Sequence, residues 1–184
     1  MRAGPSRIIG EMRRRPLPFV LVIVVALAGG WQALSAGGDG GSSGGASAGD
    51  SATATVVRVT DGDTIRVRVG GKEERVRYIG VDTPESVKPD TPVQCFAKKA
   101  SDFNKSLVAG RQVRLVQDVE ARDRYGRLLA YVYRKSDGLF VNAELVRRGY
   151  ARTLTIPPNV RFAKRFSTLA RQAREDGKGL WSAC

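Results

Sequence analysis

The chain contains no histidine and only two cysteines, Cys95 and Cys184. Imidazole is the usual base, proton shuttle or nitrogen ligand of hydrolytic sites. Its absence excludes Ser-His-Asp and Cys-His hydrolysis, zinc chemistry of the His-Glu-x-x-His kind, and nucleases with a histidine base. Two cysteines are too few for a four-cysteine zinc or iron-sulfur site. Any enzyme built from this sequence must work with carboxylates, arginines, hydroxyls and, where a cation is needed, a hard, oxygen-seeking one. Acidic residues are scarce as well: 18 Asp and Glu stand against 31 Lys and Arg in 184 residues, a formal charge of +13. Apolar residues nevertheless make up 42% of the chain, which is enough for a core and excludes a wholly disordered basic tail.

The first 15 residues carry Arg2, Arg7, Arg13, Arg14 and Arg15 against Glu11, and an apolar run over residues 17–28 comes next. A basic start joined to a run of this length is the pattern of a secretory signal. The uncharged stretch extends over residues 16–38, which is also long enough to span a bilayer. Residues 1–36 are therefore expected to be a signal peptide, cleaved near Ser35 or Gly37, or a signal anchor held in the membrane through residues 17–36. Either reading exports the remainder of the chain. Residues 37–51 consist only of Gly, Ser, Ala and Asp and read as a flexible linker with a reach of roughly 20 Å. The folded domain is expected over residues 52–184, with a net charge of +11 of its own. That surplus favours a polyanionic partner, nucleic acid first, with anionic lipid or cell-wall polymer behind it. In an oxidising compartment the two cysteines either close one disulfide, worth roughly 4–5 kcal/mol in the chain-entropy model, or remain two unpaired small core residues.

From Thr53 apolar residues recur at every second position: Val57 and Val59, then Ile65, Val67 and Val69, then Val76 and Tyr78. With Asp61-Gly62 and Gly70-Gly71 between the runs, this predicts a three-stranded meander. The period then changes. Phe96, Ala100, Phe103 and Leu107 fall on one helical face that ends at Gly110. Val113 with Leu115, and Leu129 with Tyr131 and Tyr133, predict two more strands. Two further helices are expected, one ending at Gly149 and one placing Phe162, Phe166, Leu169 and Ala173 on a stripe before Gly177. The order β-β-β-α-β-β-α-α predicts an α+β domain: an OB-fold, a five-stranded Greek-key barrel with three helices.

Asp63 lies where the first strand turns into the second, and Asp82 and Glu85 lie where the third ends. In isolation Asp-Gly is a turn and Thr-Pro-Glu a helix start. A meander brings these ends together, and clustered carboxylates require a cation, here Ca²⁺ or Mg²⁺ for want of nitrogen and sulfur ligands. Arg77 and Arg127 fall beside the same ends. A permanently charged guanidinium forks onto phosphate oxygens, so phosphoryl chemistry has its cation, its charge stabilisers and its base in one place.

The segments DGDT, RYIGVDTPES, DRYGRLLAYVY, VNAELVRRGYA and GLW, in this order, resemble the staphylococcal nuclease (thermonuclease) family over residues 53–182. The resemblance implies an OB-fold phosphodiesterase that uses Ca²⁺ to cleave DNA and RNA. It implies that Asp63, Asp82 and the backbone carbonyl of Thr83 hold the metal, that Glu85 is the general base, and that Arg77 and Arg127 hold the phosphate. Arg124, in place of the family's lysine, and Tyr125 match positions that flank the nucleotide. Residues 153–158, Thr-Leu-Thr-Ile-Pro-Pro, depart from the pattern, since the prototype has tyrosines there that grip the nucleotide. Exported relatives often carry cysteines at the positions of Cys95 and Cys184, which favours the disulfide. The expected activity is an exported, monomeric, Ca²⁺-dependent nuclease leaving 3′-phosphate ends. The rival reading is a non-catalytic cationic module that binds nucleic acid or another polyanion at the cell envelope.

Overall fold

The alternating runs become strands, and the strands close on themselves. The structure, a computed structural model, describes residues 51–85 and 92–184. In chain order these form β1 (Ser51–Asp61), β2 (Thr64–Val69), β3 (Lys72–Tyr78), β4 (Val81–Asp82), α1 (Ala97–Val108), β5 (Gln112–Val116), β6 (Leu128–Arg134), α2 (Val141–Arg147), β7 (Arg152–Thr153), α3 (Ala163–Glu175) and α4 (Leu180–Ala183). Five strands make a closed barrel in the order β1-β2-β3-β6-β5, and β4 pairs with β7 in a separate two-stranded sheet. Every barrel pairing is antiparallel except β3 with β6. This is the expected OB-fold, an α+β barrel with helices. The signal or anchor over residues 1–36 and nearly all of the linker lie outside the described residues. Among the described residues no helix is long and apolar enough to cross a membrane.

Closure depends on β1, which serves two neighbours. Ser51–Thr55 pair with β5, and Thr55–Asp61 pair with β2. To turn from one neighbour to the other the strand slips register between Val56 and Arg58, and again between Val59 and Asp61. Such slips bend a strand and reverse which alternate residues face inward. The run read as Val57 and Val59 is therefore out of phase at its start. Ala54 and Val56 are buried, whereas Val57 is 39% exposed and Val59 packs only on the core's margin. Ile65, Val67, Val76, Val113 and Leu115 are buried as their periodicity requires, whereas in β6 the consecutive Ala130, Tyr131 and Val132 are buried and the expected Leu129 and Tyr133 are only partly so, because this strand packs on both faces.

The three expected helices are α1, α2 and α3. The one-turn α4 and the β4-β7 ribbon are additions, both too short to leave a periodic signature. Phe96, placed on the first helix's face from its spacing, instead precedes α1 with φ 70° and rests its ring 5.2 Å from Tyr150. The end of α2 meets the C-terminal segment so closely that a Cβ on Gly149 would lie 2.1 Å from the Lys178 carbonyl oxygen. Only glycine fits there, and its positive φ of 72° suits no other residue well.

Two buried asparagines tie helices to strands. Asn104 of α1 accepts the Tyr78 hydroxyl proton at 3.0 Å and donates to the Asp61 carbonyl at 3.1 Å. It thereby joins the helix to the ends of β1 and β3. Asn142 of α2 accepts from the Val132 N–H at 2.9 Å and donates to the Ile79 carbonyl at 2.9 Å. Cys95 and Cys184 form a disulfide with Cα atoms 6.0 Å apart, which joins the entry to α1 to the chain's last residue.

Removing the Asn142 side chain leaves a buried donor and a buried acceptor unpaired. Asn142→Ala is expected to cost about 2–3 kcal/mol of stability, read as a drop in thermal midpoint; an unchanged midpoint would show that the two groups find other partners. Reduction of the disulfide, which spans 89 residues, is expected to lower the free energy of unfolding by about 4–5 kcal/mol. Urea titrations with and without reductant measure it, and coincident curves would refute the figure.

Candidate active site

The first carboxylate sits in the turn between β1 and β2. The Asp61 side chain accepts the Gly62 N–H at 2.8 Å and shapes that turn. Gly62 has no room for a side chain, because a Cβ would lie 2.7 Å from the Thr83 side chain. Thr83 can therefore close over the turn. Its N–H and its hydroxyl donate to Asp63 Oδ2 at 2.8 and 3.0 Å, while the Thr64 hydroxyl donates to Oδ1 at 3.0 Å. Asp63 is 6% exposed, so its position is fixed by three donors rather than by solvent.

Arg77, at the end of β3, faces this carboxylate. Its Nη1 donates to the Tyr78 and Val81 carbonyls at 3.0 and 2.7 Å. Its Nη2 lies 2.9 Å from Asp82 Oδ1 and 3.3 Å from Asp63 Oδ2. One guanidinium nitrogen thus bridges two carboxylates from different loops. β4 and its partner β7 hold Asp82 in place, with Asp82 opposite Arg152. Burial raises the Asp82 carboxyl above its ordinary range; Arg77 and Arg152 oppose this, while the like charges of Asp63 and Glu85 add to it. Glu85 lies at the neck of the loop leading to α1. Its N–H donates to Gln94 Oε1 at 2.9 Å, and its carbonyl accepts from the Gln94 N–H at 3.0 Å.

The second arginine is held by a turn of its own. In Asp123-Arg124-Tyr125-Gly126-Arg127 the Asp123 Oδ1 accepts the N–H groups of Tyr125 and Arg127 at 2.9 and 3.0 Å, and Oδ2 accepts Arg127 Nε at 2.6 Å. Burial raises the Asp123 carboxyl, but these hydrogen bonds and the Arg127 charge outweigh it and hold the group below its usual range. Among the described residues no acceptor takes the two Nη groups of Arg127, so its fork stays available. Arg124 Nη2 donates to the Tyr125 hydroxyl at 2.7 Å, and the Arg124 and Arg127 guanidinium carbons lie 4.8 and 5.4 Å from the Tyr125 ring.

Arg77, Arg127 and Tyr125 line one cleft of about 470 Å³, opposite Leu154, Ile156 and Asn159. Tyr125 is 60% and Ile156 57% exposed, so both present apolar surface to an occupant. The structure joins Asp63 and Asp82 through Arg77 and brings Glu85 near enough for its charge to act on Asp82, while Arg77 also lines the cleft together with the Arg127 turn. Asp123, which aims Arg127, escaped the sequence reading although the Asp-x-Tyr-Gly spacing of a side-chain-capped turn was legible. Asn159 gave no signal at all: its side chain accepts the Glu120 N–H and donates to the Glu120 carbonyl, at 2.8 and 2.9 Å across 39 residues. Leu154 and Ile156, in the segment where the family's prototype has tyrosines, supply an apolar wall instead. Among the described residues no group of three or more acidic or cysteine side chains is placed to hold a metal ion by itself.

Comparison with known proteins agrees with this arrangement. Residues 75–183 match the family model described as staphylococcal nuclease homologue. The chain is 45% identical over 130 residues to the thermonuclease of Staphylococcus hyicus, covering 71% of this chain and 76% of that one. It is likewise 45% identical over 126 residues to the thermonuclease of Staphylococcus intermedius, covering 68% and 74%. Against Endonuclease YncB of Bacillus subtilis the identity is 42% over 130 residues, covering 70% and 61%. A closed five-stranded barrel with Arg77 and Arg127 on one cleft, and sequence identity of this extent, have a single reading: the chain belongs to the staphylococcal nuclease family.

Proposed function

We propose that this nuclease is Ca²⁺-dependent, acts outside the cytoplasm and hydrolyses both DNA and RNA to 3′-phosphate ends. Arg77, which bridges Asp63 and Asp82 at the mouth of the cleft it shares with Arg127, is the observation that carries the reading. Two carboxylates converging on one cationic nitrogen form a site in want of positive charge, and the donors are all hard oxygens. Ca²⁺ accepts a mixture of carboxylate, backbone carbonyl and water oxygens, so Asp63, Asp82 and the Thr83 carbonyl fit it without a third acidic side chain. When bound, the ion would supply Lewis-acid charge to the phosphate and lower the repulsion among the carboxylates.

The chain's own residues supply the remainder. The Glu85 carboxylate takes the proton of a water that attacks phosphorus in line; the bond from phosphorus to the 5′-oxygen breaks, that oxygen takes a proton from solvent, and the phosphate stays on the 3′ side. As negative charge grows on the phosphate oxygens, Arg77 and the free fork of Arg127 stabilise it; a guanidinium can do so without changing protonation state. Tyr125 with Leu154 and Ile156 would hold the base by stacking and apolar contact, which is tolerant of base identity. Export is supported by the basic and apolar start of the sequence and by the Cys95–Cys184 disulfide, a bond of oxidising compartments.

The test is cleavage of single- and double-stranded DNA and of RNA by the full chain with Ca²⁺, with Mg²⁺ and with chelator. Activity restricted to Ca²⁺ is expected, and full activity in chelator would refute the metal. Arg127→Ala and Glu85→Gln are each expected to lower kcat by at least about 10²-fold with the thermal midpoint kept. Near-normal turnover in either would overturn the assignment, while tight strand binding without cleavage in the parent chain would leave only a binding module. Asp123→Asn keeps an oxygen for the two N–H groups but loses its charge toward Arg127. It is expected to lower kcat by about 10- to 100-fold with little change in KM, and an unchanged kcat would show that Arg127 needs no such support.

A further inference from the structure

A second concentration of positive charge lies beyond the cleft. Residues 161–174 hold Arg161, Lys164, Arg165, Arg171 and Arg174 and no acidic residue. Arg161, Lys164 and Arg165 line an open recess of about 460 Å³ together with Thr168 and Leu169. Beside it, Arg114 of β5 lies with its guanidinium carbon 4.4 Å from the Tyr133 ring, Tyr133 stacks on Phe140 at 4.4 Å, and Arg165 lies 5.3 Å from the Phe140 ring. Two guanidinium groups are thus held by one stacked aromatic pair.

Aromatic rings position a guanidinium without neutralising it and leave its N–H edge open. Among the described residues no ion pair involves Arg114, Lys164 or Arg165, and all three are exposed. Arg161 meets one acid, Asp118, at 3.4 Å. Most arginines around the active cleft, by contrast, are aimed by carboxylates. Gathering unpaired like charges costs the free protein self-repulsion, which a polyanion would relieve. The recess also adjoins the cleft: Asn159 lines the cleft, and Arg161, two residues on, lines the recess, at most about 7 Å farther along the chain.

From this we infer that Arg114, Arg161, Lys164 and Arg165 form a second phosphate-binding surface that holds the substrate strand beyond the active cleft, so that long polynucleotides are preferred over short ones. The inference rests on the nuclease reading and adds to it a length preference set away from the chemistry. Continuity with the cleft through Asn159 and Arg161 favours a nucleic-acid strand over a lipid surface as the occupant.

The full chain and its Arg114→Gln, Lys164→Gln, Arg165→Gln triple variant are compared on a trinucleotide and on a long single strand, with binding of the long strand measured across a salt series. The trinucleotide kcat/KM is expected to stay within about twofold, while KM for the long strand rises at least about tenfold. The slope of log affinity against log salt is expected to become shallower by about 2, from three lost phosphate contacts. Unchanged trinucleotide turnover also shows that the variant is folded. Should the triple variant unfold, Lys164→Gln alone, which touches no ring, is expected to lower the slope by about 0.7. No change on the long strand, or equal losses on both substrates, would overturn the inference. So would loss of binding to anionic phospholipid vesicles with long-strand kinetics intact. A parent chain that cleaves neither the trinucleotide nor the long strand would overturn the nuclease reading instead, and the salt slope would then judge the surface by itself.

Discussion

Negative charge concentrated on one side of a strongly basic barrel is the constraint around which this domain is arranged. Asp63, Asp82 and Glu85 come from two loops, and left to Coulomb repulsion they would push those loops apart. Arg77 prevents this by reaching both aspartates with one nitrogen while its other nitrogen anchors on the Tyr78 and Val81 carbonyls. The surrounding devices serve the same juxtaposition. Gly62 lets Thr83 approach, Thr83 gives Asp63 two donors, and the β4-β7 ribbon sets Asp82 across from Arg152. The Asp82 carboxyl is shifted upward, chiefly by burial, with the like charges of Asp63 and Glu85 adding to it and Arg77 opposing it. Two carboxylates thus share one guanidinium nitrogen, and that sharing is what holds the two loops together.

Rigidity at the site is inherited from the barrel. Arg77 lies in β3 between β2 and β6, and its chain neighbour Tyr78 is tied through Asn104 to α1 and the end of β1. Arg127 is delivered by a turn that Asp123 closes just before β6, the parallel neighbour of β3. Arg77 therefore stands on β3, and Arg127 stands in the turn that leads directly into the adjacent strand β6. Their separation depends on the β3-β6 pairing for Arg77 and on the Asp123 side-chain hydrogen bonds for Arg127, so only the first is fixed by the barrel ladder itself.

The sequence made the barrel legible because its strands bury one face, so period-two alternation survives in Ile65, Val67, Val76, Val113 and Leu115. It failed at Val57, where a bulge lets β1 change partners; bulges depend on which strands meet, and that is not written locally. β4, β7 and α4 are two to four residues long and exist by pairing or docking, so no periodicity could have announced them. Asp63, Asp82, Glu85, Arg77 and Arg127 were legible as types at turn and strand ends. That Arg77 would be the link among them was not, since it requires knowing that β3 ends beside the β1-β2 turn. Asn159 illustrates the limit most clearly: its two hydrogen bonds to Glu120 join segments 39 residues apart, and an asparagine in a proline-rich loop reads as nothing but a turn residue.

A chain without histidine has no side chain whose ordinary titration falls between pH 5 and 8. Its cationic groups are mostly guanidiniums, permanently charged, so the phosphate-facing side of the cleft is indifferent to pH over that range. What can still titrate is the acidic side, and there the structure sets two aspartates apart. Asp123 is drawn down by the hydrogen bonds it accepts and stays an anion that aims Arg127, whereas Asp82 is pushed up by burial, with Asp63 and Glu85 adding to this and Arg77 and Arg152 opposing it. The first is a carboxylate whose partner is already in place. The second shares a single Arg77 nitrogen with Asp63, so Asp123 and Asp82 differ in how completely folding alone pairs them.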